Sequence, residues 1–257
     1  MTTGNIYSVG VGIVSYNNPE ILQKSLNFVL SRTPSDVPVV VYDDASYSCN
    51  FRMLKVMPEF GSRLHCIRSA VNRGAAYGRN RICEFYDDLG FKRVAILDMD
   101  IEVKDGWLSD LNDKMDQHIN CGAVSFFYCN NNGGHFPIYE EGMCPEVATM
   151  CYLLRIEALD DMLGPDMVWG MDERMELLCH DSEFFQRMKK SGKWKLYLIK
   201  DKIKEITRSH SVNTGCTVIN KEVIDRRERD CKIWGEMSDK RNWEKDKIYM
   251  EPRGDNK

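Results

Sequence analysis

Three apolar runs constrain this chain more than any other feature, because each is too hydrophobic for a surface and each stops at a polar cluster. "YSVGVGIVSY" (7–16) gives way to "NNPE", "VPVVVYDD" (37–44) gives way to "AS", and "FKRVAILDMD" (91–100) ends on paired aspartates. Near-continuous apolar runs read as strands covered on both faces, which is how strands of a parallel sheet sit. The stretches between them carry helical spacing. Pro19 can open a helix, and Ile21, Leu22, Leu26 and Val29 then share one face. "NRGAAYGRNRICEFYDDLG" (72–90) reads as a glycine-rich lead-in to a helix that closes at Gly90, and "GWLSDLNDKMDQH" (106–118) as a further helix. With a weaker strand at "RLHCIRS" (63–69), strands and helices alternate at short spacing. That order predicts an α/β fold, a mostly parallel central sheet flanked by helices with right-handed crossovers.

Beyond residue 120 the rhythm changes. "CGAVSFFYC" (121–129), "VATMCYLLR" (147–155) and "KWKLYLI" (193–199) read as strands, "IEALDDML" as a helix, and another helix is expected to start near Asp181. Residues 1–228 are read as one domain in two halves, 1–105 and 106–228. From Arg229 onward, charges mix with Trp234 and Trp243 without clear periodicity, so 229–257 is expected to be a C-terminal tail.

Bulk properties exclude several classes. A net charge of −4 over 257 residues exerts no general pull on nucleic acid or membrane. Glu183–Arg208 is locally basic, with nine Lys/Arg against three Asp/Glu, and offers either a phosphate-binding patch or a solvated helix face. The ten cysteines form no CxxC and no paired spacing, and Cys121, Cys129 and Cys151 sit in strand-like runs. Such usage suits a reducing compartment. "MTTGNIYSVG" lacks the pattern of a signal peptide, and no apolar stretch approaches the ~20 residues that span a bilayer. A cytoplasmic location is expected, the host cytoplasm if the source is viral.

In open α/β sheets, ligands bind beyond the carboxyl ends of the strands. Parallel strands would bring "SYNN" (15–18, with Ser15 and Tyr16), "DDAS" (43–46) and "DMD" (98–100) to one rim. Asp98 and Asp100, two apart on an extended segment, would share a face and repel each other. A hard divalent cation with oxygen ligands would relieve that repulsion and bridge to a diphosphate. The lead-in "NRGAAYGRN" fits a place where backbone approaches phosphate, with Arg73 or Arg79 nearby. Asp181 in "CHDSEFF" is either a helix cap or a general base, with Glu183 as its substitute and Asp172, Glu173 and Glu176 as rival acids.

In this order, the motifs resemble those of the inverting, nucleotide-sugar-dependent glycosyltransferases with a GT-A (Rossmann-like) fold. The likeness runs along roughly residues 6–210: "VGIVSYNNPEILQKSL" as first strand and helix, "VVVYDDAS" as DDxS, "NRGAAYGRN" as N-x-G-x-x-x-x-R-N, "LDMD" as DxD, and "HDSEFF" as the acidic helix start. The resemblance implies a nucleotide-sugar donor, a UDP-sugar first, held by a nucleotide-binding half over 1–105 with an acceptor half over 106–228. Ser15 and Tyr16 would join the donor site, Asp44 would lie at the base edge, and Asn72 and Arg79 would face the nucleotide. Asp98 would face the ribose, Asp100 would contact Mn²⁺ or Mg²⁺, His210 would complete that metal site, and Asp181 would be the base. His135 in "NNGGHFP" has a weaker claim, in a loop over donor or acceptor. The acceptor expected is a saccharide, a protein side chain or a hydroxymethylated DNA base. Two alternatives remain: a nucleotidyltransferase, against which "SYNNPEI" lacks a glycine run and a lysine, and a non-catalytic nucleotide-sugar-binding protein.

Overall fold

The computed structural model describes residues 9–47, 61, 63–126, 142–144, 150–162, 168–177, 180–199, 203–205 and 221–240. Strand β1 (Val9–Ser15) lies within the N-terminal half of the sheet. It is parallel to β2 (Val39–Asp43) on one side and to β4 (Arg93–Asp98) on the other. Strand β3 (Leu64–Arg68) continues outward from β2, also parallel. The chain therefore moves from β1 to β2 and β3, then returns to the opposite side of β1. Such a reversal opens a crevice at the carboxyl ends of the two central strands.

Strand β8 (Cys151–Arg155) lies antiparallel on the far side of β4 and is followed by β6 (Cys121–Phe126), β9 (Lys195–Ile199) and β7 (Gly142–Cys144). The sheet reads β3-β2-β1-β4-β8-β6-β9-β7, and four of the seven pairings among the described residues are parallel. A short antiparallel pair, β5 (Ile101–Val103) with β10 (Ile203–Glu205), stands apart from it. The mostly parallel α/β sheet expected from the alternating runs is present. The short strands β5, β7 and β10 were not expected, since three residues carry too little pattern to read.

Alternation along the strands divides the core into two layers. Val11, Ile13, Val39, Val41, Ala95 and Leu97 pack beneath α1 (Pro19–Arg32) and α3 (Trp107–Gln117). Val40, Tyr42, Val94 and Ile96 pack against α2 (Ala75–Asp88), and the same layer includes Phe184, Phe185 and Met188 of α5 (His180–Lys190). A short helix α4 (Glu157–Asp161) follows β8. Burial on both faces is why β2 reads as an unbroken apolar run.

The last helix, α6 (Lys221–Lys240), runs into the stretch read as a tail, since residues 229–240 are helical; residues 241–257 lie outside the described ones. Its buried positions mix polar and apolar residues, with Asp230, Trp234 and Met237 facing inward. A search for apolar residues alone passes over that pattern. Trp234 and Met237 find their partner in Met175.

Strand β1 touches α2 through glycine. A Cβ on Gly10 would stand 2.1 Å from Tyr86 Cε1, and one on Gly12 would stand 2.3 Å from Ile82 Cγ2. The close approach lets the Tyr86 hydroxyl reach the β1–β2 ladder, where it accepts the Val11 N–H at 3.1 Å and lies 2.8 Å from the Val11 carbonyl. Gly10→Ala should therefore destabilise the fold by about 1–3 kcal/mol, the usual cost of overpacking. Urea unfolding should show the lower midpoint with an unchanged m value.

Candidate functional site

The strand register sets the site. Ser15 pairs with Asp43, Val14 with Asp98, and Asp43 with Arg68, so the polar strand ends meet on one rim as the parallel reading requires. Not every side chain there faces outward. Ser15 is buried and its hydroxyl donates to the Tyr42 carbonyl at 3.1 Å, which ties it into the sheet. Tyr16 and Tyr47 are the exposed aromatics beside it. Asp43 is fully buried, accepts the Ser46 N–H at 3.3 Å and pairs with Arg68 at 3.3 Å. Ala45 takes a left-handed φ of 62° to close this turn.

Asp44 points across to the loop before α2. Its two carboxylate oxygens accept the backbone N–H groups of Arg73 at 2.8 Å and Gly74 at 2.9 Å. The Asn72 amide donates to the Asp44 carbonyl at 3.3 Å, and the Ala75 N–H donates to the Glu176 carbonyl at 3.0 Å. Burial raises the Asp44 pKa, partly offset by those two amides and by the positive charge of Arg226. Gly74 has a φ of +88°, and a Cβ there would meet Glu176 at 2.4–2.8 Å, so this glycine is demanded by both conformation and space. Asn72 and Asp44 are thus brought together.

Arg79, on α2, is the buried cation of the site. Its guanidinium donates to Asp98 Oδ1 at 2.8 Å and to His180 Nε2 at 2.5 Å. Burial alone would lower its pKa, but the Asp98 charge, with Asp181 behind it, outweighs that and raises it. Arginine can only donate, so His180 Nε2 must accept and its proton sits on Nδ1. That Nδ1 is buried with no hydrogen-bond partner among the described residues. His180 was not singled out in the sequence, although it stands immediately before Asp181.

The "DMD" segment differs from the extended pair expected. Strand β4 ends at Asp98, and Met99 and Asp100 form a turn before β5, so the two-residue spacing does not place both carboxylates on one strand face. Met99 tucks against the core while Asp100 remains half-buried. The donors here are hard carboxylate oxygens, which fit Mn²⁺ or Mg²⁺ rather than a soft metal. Among the described residues no group of three His, Cys, Asp or Glu forms a metal-binding set. His210 and His135 lie outside the described residues.

The acids near α5 separate by environment. Glu183 is fully buried and both its oxygens are forked by Arg187 at 2.7 Å. Asp172 is buried and bound by Arg174, Glu173 accepts from Asn80 and Arg81, and Glu176 is bound by Arg226 and Arg229. Asp181 stands half-buried in the first turn of α5, where its Oδ1 accepts the Ser182 N–H at 2.9 Å, and its charge is felt by Arg79, His180 and Tyr152. Each rival acid is thus held by arginine.

Burial, aided by the charge of Arg79, lowers the His180 pKa to about 4 from its ordinary 6.5, against the opposing pull of Asp181 and Asp230. Between those values the unfolded chain binds a proton that the native chain refuses. The stabilisation is therefore complete above pH 6.5 and falls as pH drops toward 4, by up to about 1.4 kcal/mol per pH unit. His180→Gln should flatten that slope in urea unfolding measured between pH 7 and pH 4.5.

Comparison with known proteins places the fold among solved glycosyltransferase structures. The fold matches S. aureus TarS 1–349 at 19% identity and a TM-score of 0.57, over 76% of this chain and 58% of that one. It matches the mannosyltransferase PcManGT from Pyrobaculum calidifontis, solved with GDP-Man and Mn²⁺, at 19% identity and a TM-score of 0.58, over 76% of this chain and 56% of that one. GalNAc-T7, solved with UDP, GalNAc and Mn²⁺, matches at 14% identity and a TM-score of 0.65, over 90% of this chain and 48% of that one. The chain thus spans little more than half the length of such proteins or less. A comparison with curated protein sequences gives no match. The profile described as Glycosyl transferase family 2 matches residues 10–171, more than half of the sequence, and the chain belongs to that family.

Proposed function

We propose that the protein moves a sugar from a nucleotide-sugar donor, with a UDP-sugar as the first candidate, to an acceptor hydroxyl with inversion at the anomeric carbon. The observation that carries this reading is the meeting of three strand ends at the β1–β4 crevice, with Asp44 bracing the 72–75 loop and Arg79 anchored on Asp98. The donor would lie over that rim, its nucleoside toward Asp44, Asn72 and Tyr16 and its ribose toward Asp98. Arg79 would add positive charge beneath the diphosphate. Similar folds solved with GDP-Man, or with UDP and GalNAc, support a nucleotide-sugar donor.

Asp181 is the proposed base. An acceptor hydroxyl becomes acidic as its bond to the anomeric carbon forms, and a positioned carboxylate suits that moment. The arginine pairing of Glu183, Asp172, Glu173 and Glu176 counts against each of those four as the base. In-line placement of hydroxyl and leaving group would supply much of the rate. Asp100 would hold Mn²⁺ or Mg²⁺, joined by His210; when bound, that ion would neutralise charge on the departing diphosphate.

For the acceptor, a saccharide or protein hydroxyl is favoured over a hydroxymethylated DNA base. Arg187 in the basic stretch is buried on Glu183, and Lys193 pairs with Glu157 and Asp161 at 2.9 and 2.7 Å, which withdraws both from phosphate. Two experiments test the site. A thermal-shift panel of nucleotide sugars should show stabilisation by UDP-sugars that grows with Mn²⁺, and Asp100→Ala should lose the Mn²⁺-dependent part while its ligand-free midpoint stays put. Asp181→Asn should bind donor within about twofold of the parent yet lose roughly 10²–10⁴-fold in kcat, the usual weight of a general base; near-normal turnover would remove it from that role.

A further inference from the structure

Helix α6 lies beyond the family-matched segment 10–171, yet its inner face reaches the donor side of the rim. Arg226 and Asp230, four residues apart, share that face. Both terminal nitrogens of Arg226 donate to Asn72 Oδ1 at 2.9 Å, and its Nε donates to the Glu176 carboxylate. Arg229 pairs with the other Glu176 oxygen at 2.8 Å. One helical turn on, Asp230 accepts the Leu177 N–H at 2.6 Å. The helix therefore grips the 175–177 segment and, through one arginine, the side chain of Asn72.

The Asn72 amide is consequently used at both ends. Its nitrogen donates to the Asp44 carbonyl and its oxygen accepts from Arg226, so only one orientation satisfies both neighbours. Asp44 fixes the next two amides of the loop, and the Glu176 carbonyl, whose own side chain Arg226 holds, fixes the third. Arg226 is largely shielded, with 18% of its side chain exposed, and so is Glu176 at 23%. A guanidinium fork can satisfy an amide oxygen and a carboxylate together, whereas an ammonium offers a single point of charge.

We propose that Arg226 is a positioning residue for donor binding: it closes the frame around the 72–75 loop, so that α6, outside the family-matched segment, sets how tightly the nucleotide diphosphate is held. This rests on the donor placement given under Proposed function. Removing the guanidinium leaves Asn72 free to turn and Glu176 with Arg229 alone, which loosens the loop without touching Asp181.

The test uses the full chain as parent, Arg226→Gln and Arg226→Lys, with Arg227→Gln on the exposed side of the same helix as control. Hydrogen exchange of the 73–75 amides without nucleotide should quicken about tenfold in Arg226→Gln, less in Arg226→Lys, and not at all in Arg227→Gln. UDP affinity and donor KM should weaken by about tenfold in the Gln variant, kcat should stay within about twofold, and Lys should restore part of the loss. Unchanged exchange and unchanged UDP affinity in Arg226→Gln would overturn the proposal, as would a fall in kcat at constant KM. A parent protein that binds no nucleotide would overturn the donor placement itself, whatever the exchange data show. If Arg226→Gln fails to fold, Arg226→Lys against Arg227→Gln decides the same question by the same readouts.

Discussion

A guanidinium buried within a sheet-and-helix core is tolerable only when its surroundings are arranged for it, and Arg79 imposes that demand here. It is 4% exposed, and an unpaired charge at such depth would cost several kcal/mol. Asp98 at the end of β4 supplies the countercharge, and His180 at the start of α5 supplies a neutral acceptor. The carboxyl end of β4, the middle of α2 and the first turn of α5 are therefore located relative to one another by one side chain. Those are the elements that carry the proposed ribose contact, the proposed charge beneath the diphosphate and the proposed base. Because His180 must stay uncharged to accept from an arginine, the junction also explains why an imidazole sits beside a carboxylate without becoming protonated at neutral pH.

A second anchor works at shorter range. Asp44 was read as a ligand for the nucleobase edge, and its carboxylate in the folded chain meets the Arg73 and Gly74 amides. The two roles are compatible in principle, since a carboxylate offers about four lone-pair sites. Here the sequence motif "DDAS" does structural work first: Asp43 closes its own turn with Ser46 and Arg68, and Asp44 braces the neighbouring loop. The left-handed Gly74, pressed against Glu176, shows how little room that loop leaves.

The sheet and most helices were legible because their signals are local. Apolar runs such as 37–44 announce two-sided burial, and Pro19, Gly74 and Gly90 mark helix ends. Convergence of the polar strand ends was legible too, since parallel strands leave no other arrangement. What escaped depended on contacts distant in sequence. Nothing in "CHDSEFF" tells which acid will be forked by Arg187, yet that contact separates Glu183 from Asp181. Asp100 was expected on a strand, but the chain turns at Met99, whose side chain packs partly buried against the core. Helix α6 was missed because its inward face runs from an arginine and an aspartate to a tryptophan and a methionine, and only the shape of the 172–177 segment makes that mixture an interface.

The placement of β8 has a mechanical consequence. It is laddered to β4 on one edge, from Arg93–Arg155 to Leu97–Cys151, and to β6 on the other. The two halves are thus stitched into one continuous sheet, and pulling them apart would break a run of main-chain bonds each contributing about 1 kcal/mol. Jaw-like swinging of one half against the other is closed to this architecture. Any ligand held at the rim would therefore enter and leave over its lip, above a floor that these ladders keep rigid.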